Sequence, residues 1–204
     1  MGAAQEFWDD LYRASTRVWS GRPNAVLADV VGPLAPGTAL DLGCGEGGDA
    51  LWLARRGWRV TAVDVSPTAL AKVAERAAEA RVCALLRTEQ HDLAETFPDG
   101  RYDLVSAQYL QSPVELPRER VLRAAAGAVA PGGLLLVVEH GSAAPWSWDR
   151  DARFSTPEEI AAAAGLADGE WEIERAGTPQ REATGPGGEK AMVADVVVAA
   201  RRIQ

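Results

Sequence analysis

The sequence predicts an α/β fold, built on a doubly wound and mostly parallel sheet, from three observations. Short apolar runs of strand length alternate with helix-length segments between Thr38 and Val138, the pattern of a parallel sheet covered on both faces. The first of these strands feeds directly into a glycine-rich turn, Gly43-Cys44-Gly45-Glu46-Gly47-Gly48, which is followed by a helix and a second strand ending on Asp64. The chain closes with two strand-like runs, Trp171 to Arg175 and Ala191 to Arg201. The Gly185-Pro186-Gly187-Gly188 turn between them predicts an antiparallel C-terminal hairpin.

Taken in order, Gln5 to Arg13 places Phe7, Trp8, Leu11 and Tyr12 at helical spacing. A turn-rich stretch follows, and Asn24 is placed to cap a helix from Ala25 to Val31. Pro33 and Pro36-Gly37 then break the chain, so residues 1–37 read as an N-terminal helical cap. Strand one covers Ala39 to Leu42, a helix covers Asp49 to Arg56, and strand two covers Arg59 to Val63. Ser66 as N-cap and Pro67 at the first helical position open a helix to about Ala80. Strand three is expected across Cys83 to Thr88, and strand four, after the Pro98-Asp99-Gly100 turn, across Tyr102 to Ala107. A helix from Leu116 to Val129 and a Pro131-Gly132-Gly133 turn lead into strand five, Leu134 to Val138. Thr156-Pro157-Glu158-Glu159 starts a short helix to about Ala163. The expectation is one domain over 1–204, with a cofactor-binding core at 38–140 and a loop, helix and hairpin at 141–204.

At 204 residues the chain is long enough to bury one substantial core. Its net charge of −8 argues against a general affinity for nucleic acid or anionic membranes. Cys44 and Cys83 are too few for a disulfide framework and are expected to be reduced and partly buried. Neither a basic-then-apolar leader nor a run of membrane-spanning length is apparent, which makes the cytoplasm the expected compartment. No His, Cys and Asp cluster has metal-ligand spacing, so no metal is expected.

Right-handed crossovers bring the C-terminal ends of parallel strands to one edge of the sheet, where ligands bind. The turn after Leu42, Asp64, Asp92, Gln108 and His140 should therefore converge. Glycines let the backbone turn sharply and approach a ligand closely. A carboxylate at the tip of strand two accepts from two neighbouring ribose hydroxyls. The turn itself fits two patterns. Gly43, Gly45 and Gly48 match G-x-G-x-x-G, while Gly43, Gly45 and Gly47 match G-x-G-x-G. Asp41, just ahead of the turn, would repel a pyrophosphate and attract an ammonium group.

Leu40-Asp41-Leu42-Gly43-Cys44-Gly45-Glu46-Gly47 resembles motif I of the class I S-adenosylmethionine-dependent methyltransferases, and Ala130-Pro131-Gly132-Gly133 resembles their segment before strand five. The resemblance implies a Rossmann-like fold ending in an antiparallel hairpin. It also implies S-adenosylmethionine as cofactor and S-adenosylhomocysteine as product. Residue by residue, it implies that Asp64, with the adjacent Val65, holds the ribose and that Asp92 accepts from the adenine amino group with Leu93 beside the ring. It places Gly43, Gly45 and Gly47 along the methionine moiety with Asp41 near its ammonium, and Gln108 where methionine meets substrate. The short length and aromatic N-terminal cap are similar to the small tellurite-resistance and thiopurine-type enzymes, which implies a small-molecule acceptor. An Asn-Pro-Pro-Tyr signature for methylating base or glutamine amino groups is missing.

Other residues have two readings. Trp8, Tyr12 and Trp19 are packing residues or a lid, with Trp19 against the cofactor, where a sulfonium beside aromatic faces gains about 0.5–2 kcal/mol. Tyr109, Trp146 and Trp148 are core or pocket residues. His140, at the tip of strand five, is hydrogen-bonded structure or a general base for an acceptor that arrives protonated. Two alternatives to catalysis by methyl transfer are a silent S-adenosylmethionine-binding module and an NAD-dependent oxidoreductase. The sequence leaves the acceptor and the oligomeric state open.

Overall fold

The computed structural model describes residues 2–147, 153–167, 169–185 and 187–203. Five strands, β1 (Thr38–Leu42), β2 (Arg59–Asp64), β3 (Leu86–Gln90), β4 (Tyr102–Gln108) and β5 (Val129–His140), run parallel to their neighbours in the order β3-β2-β1-β4-β5. Beyond β5 the sheet turns antiparallel: β8 (Lys190–Arg202) pairs with β5 on one side and with β6 (Trp171–Gly177) on the other.

Period-two alternation divides the core into two layers. Leu134, Leu136 and Val138 of β5 point into one layer, filled by α2 (Ala25–Val31), α3 (Gly48–Arg55) and α4 (Pro67–Glu79). Leu135 and Val137 point into the other, under α5 (Arg118–Gly127) and α6 (Pro157–Ala164). The caps read from the sequence are in place. Asn24 accepts from the Val26 N–H, Ser66 accepts from the Ala69 N–H behind Pro67, and Thr156 and Glu159 form a reciprocal capping box. The helix α1 (Ala3–Arg13) lies outside the sheet against α4.

Four expectations are corrected. Strand three starts at Leu86, because Val82–Leu85 makes the turn that returns from α4, and Cys83 is consequently exposed. The helix after β4 is shorter at both ends: Pro117 serves as its N-cap residue, and a residue before proline resists the helical region. The Pro131-Gly132-Gly133 segment lies inside β5 instead of ahead of it. Pairing with β4 jumps from Tyr102↔Val129 to Leu104↔Leu134, a bulge in which a Gly133 Cβ would sit 2.9 Å from the carbonyl oxygens of Ala130 and Tyr102. Lastly, the terminal hairpin has three strands. The glycine turn joins β7 (Gln180–Thr184) to β8, and β8 is long enough to pair with β7 along its first half and with β5 and β6 along its second. Pro186 of that turn is outside the described residues.

Candidate functional site

At the C-terminal edge of the parallel strands lies a cavity of about 1000 Å³. Its lining includes the sequence-predicted Trp8, Tyr12, Trp19, Asp41, Gly43, Gly45, Asp64, Val65, Asp92, Leu93, Gln108, Tyr109 and His140. Two other candidates stand apart, and a third is not described. Gly47, at φ +80°, is the N-cap position of α3, and a Cβ there would meet Val73 Cγ2 at 2.9 Å, so its constraint is helix packing and it does not line the cavity. Trp146 lies against Gly185 at the β7–β8 turn, also away from the lining, and Trp148 is outside the described residues.

One end of the cavity is acidic. Asp41 is buried at the tip of β1, its Oδ2 has no hydrogen-bond partner, and burial together with the charges of Asp49 and Asp64 pushes its carboxyl well above the usual range. Burial pushes Asp49, in the first turn of α3, up to about 6, although its Oδ1 accepts from the Asn24 N–H at 2.6 Å. Burial also raises Asp64, against the backbone N–H groups of Ser66 and Gly45, each donating to it over 2.9 Å. Through those two bonds Asp64 fixes the glycine turn, a structural duty additional to any contact with a ligand. A buried carboxylate cluster with an orphan oxygen is short of positive charge. A ligand bearing an ammonium and a sulfonium fits it, and a pyrophosphate does not. Asp92 lines the cavity while its Oδ1 caps its own turn through the Ala94 N–H at 3.0 Å. Burial, with Asp64 and Asp41 nearby, holds the Cys44 thiol well above its usual range, which disfavours the thiolate a nucleophile needs.

The N-terminal segment is tied across this acidic end. Asp9 accepts from the Ser66 hydroxyl and from the Thr68 N–H at 3.1 Å, fixing α1 to the start of α4. Lys72 of α4 donates to the carbonyls of Tyr12 and Ser15 at 2.7 Å and to Glu46 Oε1 at 2.9 Å. Glu46, buried within the glycine turn, accepts from the N–H groups of Val18 and Trp19 at 2.9 and 3.0 Å. Burial opposes ionisation there, but those amides and Lys72 outweigh it and hold the carboxyl below its usual range. As a result Tyr12 and Trp19 lie over the turn: a Cβ on Gly45 would be 3.0 Å from the Tyr12 hydroxyl and 3.2 Å from Trp19 Nε1. Trp19 itself is 51% exposed, with Nε1 donating to the Tyr12 hydroxyl at 3.1 Å.

The other end is aromatic and holds a cation. Tyr109 follows β4 at φ +51°, a conformation uncommon outside glycine, and its ring stacks on His140 with centroids 4.4 Å apart. Burial lowers the His140 pKa and Arg181 adds to this, against the charge of Asp195. The backbone N–H of His140 donates to Gln111 Oε1 at 3.0 Å. Arg181 on β7 also lines the cavity, its guanidinium 5.8 Å from the Tyr109 ring centre and its Nε 2.7 Å from Oδ2 of the buried Asp195. Asp195 stands opposite His140 in the β5–β8 register. Burial, with the charge of Asp195, pushes the Tyr109 phenol up to about 12. Between the two ends, Gln108 donates to Ser106 Oγ at 3.0 Å and leaves its Oε1 unpartnered.

Sequence reading missed Asp49, Glu46, Lys72, Arg181 and Asp195. Asp49 and Glu46 were in view within the glycine segment, as acids beside Asp41 and Asp64. Arg181 and Asp195 carry no local signal, because only the β7–β8 pairing brings them to the tip of β5.

Residues 39–133 match a family described as a methyltransferase domain. The 2-heptyl-1-hydroxyquinolin-4(1H)-one methyltransferase of Mycobacteroides abscessus is 36% identical over 53% of this chain and 48% of its own length. The ribosomal RNA small subunit methyltransferase C of Alcanivorax borkumensis is 33% identical over 57% of this chain and 36% of its own. The chain thus spans half or less of the length of these two curated relatives. A solved structure described as "Conversion of a Disulfide Bond into a Thioacetal Group during Echinomycin Biosynthesis" superimposes with a TM-score of 0.71 at 26% identity, over 98% of this chain and 93% of that one. TehB from Haemophilus influenzae shares the fold with a TM-score of 0.71 at 19% identity, over 97% of this chain and 66% of its own.

Proposed function

We infer that this chain is a class I S-adenosylmethionine-dependent methyltransferase that transfers the methyl group of its cofactor to a small-molecule nucleophile by in-line displacement. The observation that carries this reading is the Asp41–Asp49–Asp64 cluster around a glycine turn at the strand tips. It suits a phosphate-free donor that carries an ammonium and a sulfonium and opposes the pyrophosphate of a dinucleotide, which disfavours the oxidoreductase alternative. The net charge of −8 and the acidic lining favour a small acceptor over a nucleic acid.

When bound, S-adenosylmethionine supplies a methyl group on a positively charged sulfur, which keeps the electron pair of the broken S–CH₃ bond as the acceptor's lone pair forms the new one. The chain's own work is to hold, align and exclude water. Asp64 receives the ribose hydroxyls on lone pairs left over from Gly45 and Ser66, and Asp41 with Asp49 balances the ammonium. Asp92 and Leu93 hold the adenine, while Tyr12 and Trp19 cover the glycine turn. Such positioning is worth about 7–11 kcal/mol of barrier in favourable cases. An acceptor that arrives protonated passes its proton to a ring nitrogen of His140, which its lowered pKa keeps neutral near pH 7. The stacked Tyr109 holds that imidazole in place.

The test is formation of S-adenosylhomocysteine against a panel of thiols, phenols and oxyanions. At least one class should turn over, and His140→Ala should slow a phenol by on the order of 10²–10⁴-fold with unchanged cofactor affinity. Tight cofactor binding with no turnover across the panel would favour a silent binding module.

A further inference from the structure

We propose that Arg181 selects acceptors carrying a carboxylate, which its guanidinium receives beside the Tyr109–His140 stack. The proposal rests on the methyl-transfer reading above and names the class of acceptor for that site. Among the described residues, only two cationic side chains of Arg or Lys line the cavity. Arg22 belongs to the loop over the glycine turn, where its carbonyl is 2.7 Å from the position of a Gly48 Cβ, and so sits at the cofactor end. Arg181 stands at the opposite end, on β7, within 5.8 Å of the Tyr109 ring.

Its geometry suits a planar anion. Asp195 engages Nε from within the wall, at 2.7 Å and with a side chain only 2% exposed, whereas the Arg181 side chain is 36% exposed. That bond fixes the guanidinium at its Nε corner, the Tyr109 hydroxyl takes a further hydrogen bond from it, and the remaining terminal N–H groups are left for a second partner. A guanidinium fork pairs with a carboxylate through two parallel bonds, which a neutral carboxamide cannot reproduce. Asp195 balances the charge of Arg181 from within the wall, so the selection rests on the geometry of the guanidinium fork; of the other acids nearby, Glu182 is exposed and ion-paired with Lys190 at 2.7 Å, and Glu115 is exposed at the rim. An aromatic acid would also lie against the stacked rings of Tyr109 and His140, 4.4 Å apart.

The experiment measures binding to the full chain saturated with S-adenosylhomocysteine, so no turnover is needed. Benzoate, 2-naphthoate and 2-mercaptobenzoate are titrated against their carboxamides, into the wild type and into Arg181→Gln and Arg181→Lys. The expected result is at least tenfold tighter binding of one or more acids than of the matching amide in the wild type. That preference should vanish in Arg181→Gln and return in part in Arg181→Lys. Overturning results are that no acid outbinds its amide, or that the preference survives in Arg181→Gln. Failure of S-adenosylhomocysteine to bind the wild type would instead sink the methyl-transfer reading beneath it.

Discussion

The two ends of the cavity are assembled in different ways, and they differ correspondingly in what they do. The acidic end is made of adjacent parallel strand tips, β1 and β2, and of the turn and helix between them, and apart from the unpartnered Asp41 Oδ2 and the Lys72 contact its carboxylates are tied mainly to backbone N–H groups. Asp64 holds Gly45 and Ser66, Asp49 holds Asn24, and Glu46 holds Val18, Trp19 and Lys72. The aromatic end is made of segments far apart in sequence: the residue after β4, the tip of β5 and the β7–β8 arm. It is held side chain to side chain, by a ring stack and one ion pair. A backbone-fixed end suits a cofactor that is always the same. An end made of side chains on an antiparallel arm can change its partner without disturbing the sheet.

This contrast can be broken from the acidic side first. Asp64→Ala should weaken S-adenosylmethionine binding by about 100-fold or more by calorimetric titration, since a charge-assisted acceptor and the anchor of the glycine turn go together. A folded variant that binds normally would remove Asp64 from the site. The same substitution should leave the Arg181-dependent acid preference intact wherever cofactor product can still be saturated.

A smaller effect follows from pH. Folding raises Asp41, Asp49 and Asp64, Asp49 to about 6 from its ordinary 3.8, so the folded protein holds protons that the unfolded chain has already released. In the free protein this cluster therefore lowers stability as pH climbs from about 4 through 6. A cationic ligand favours the ionised forms, so its affinity must move the other way. S-adenosylmethionine should bind more tightly at pH 7 than at pH 5, and a flat profile would mean that the cluster does not face the cofactor's charges. The smallest effect concerns the N-terminal segment. If Trp19 covers the sulfonium, Trp19→Ala should cost about 0.5–2 kcal/mol of cofactor affinity with the melting temperature of the free protein unchanged.

The same contrast explains what the sequence made legible. The unit from β1 to β2 is local: glycines at positive φ, an acid just ahead of them and an acid at a strand tip all act within about thirty residues, a span matched by a single βαβ unit. Asp41, Gly43, Gly45 and Asp64 were therefore readable one by one. The acceptor end depends on pairings that no local pattern encodes. Arg181 meets Asp195 because β7 folds back on β8, and Asp195 reaches His140 because β8 inserts beside β5. The two-strand reading of the tail had no place for β7, and so neither residue entered the site. The Pro131-Gly132-Gly133 segment misled for the opposite reason, being a turn signature absorbed into a strand as a bulge.

The central claim is that the acidic end is a cradle for a phosphate-free nucleoside cofactor bearing an ammonium group. Calorimetric titration of S-adenosylmethionine, S-adenosylhomocysteine and NADH into the wild-type protein, side by side at pH 7, tests it most directly. The account predicts saturable binding of the first two and none of NADH. Binding of NADH at comparable affinity, or of neither S-adenosyl compound, would contradict it.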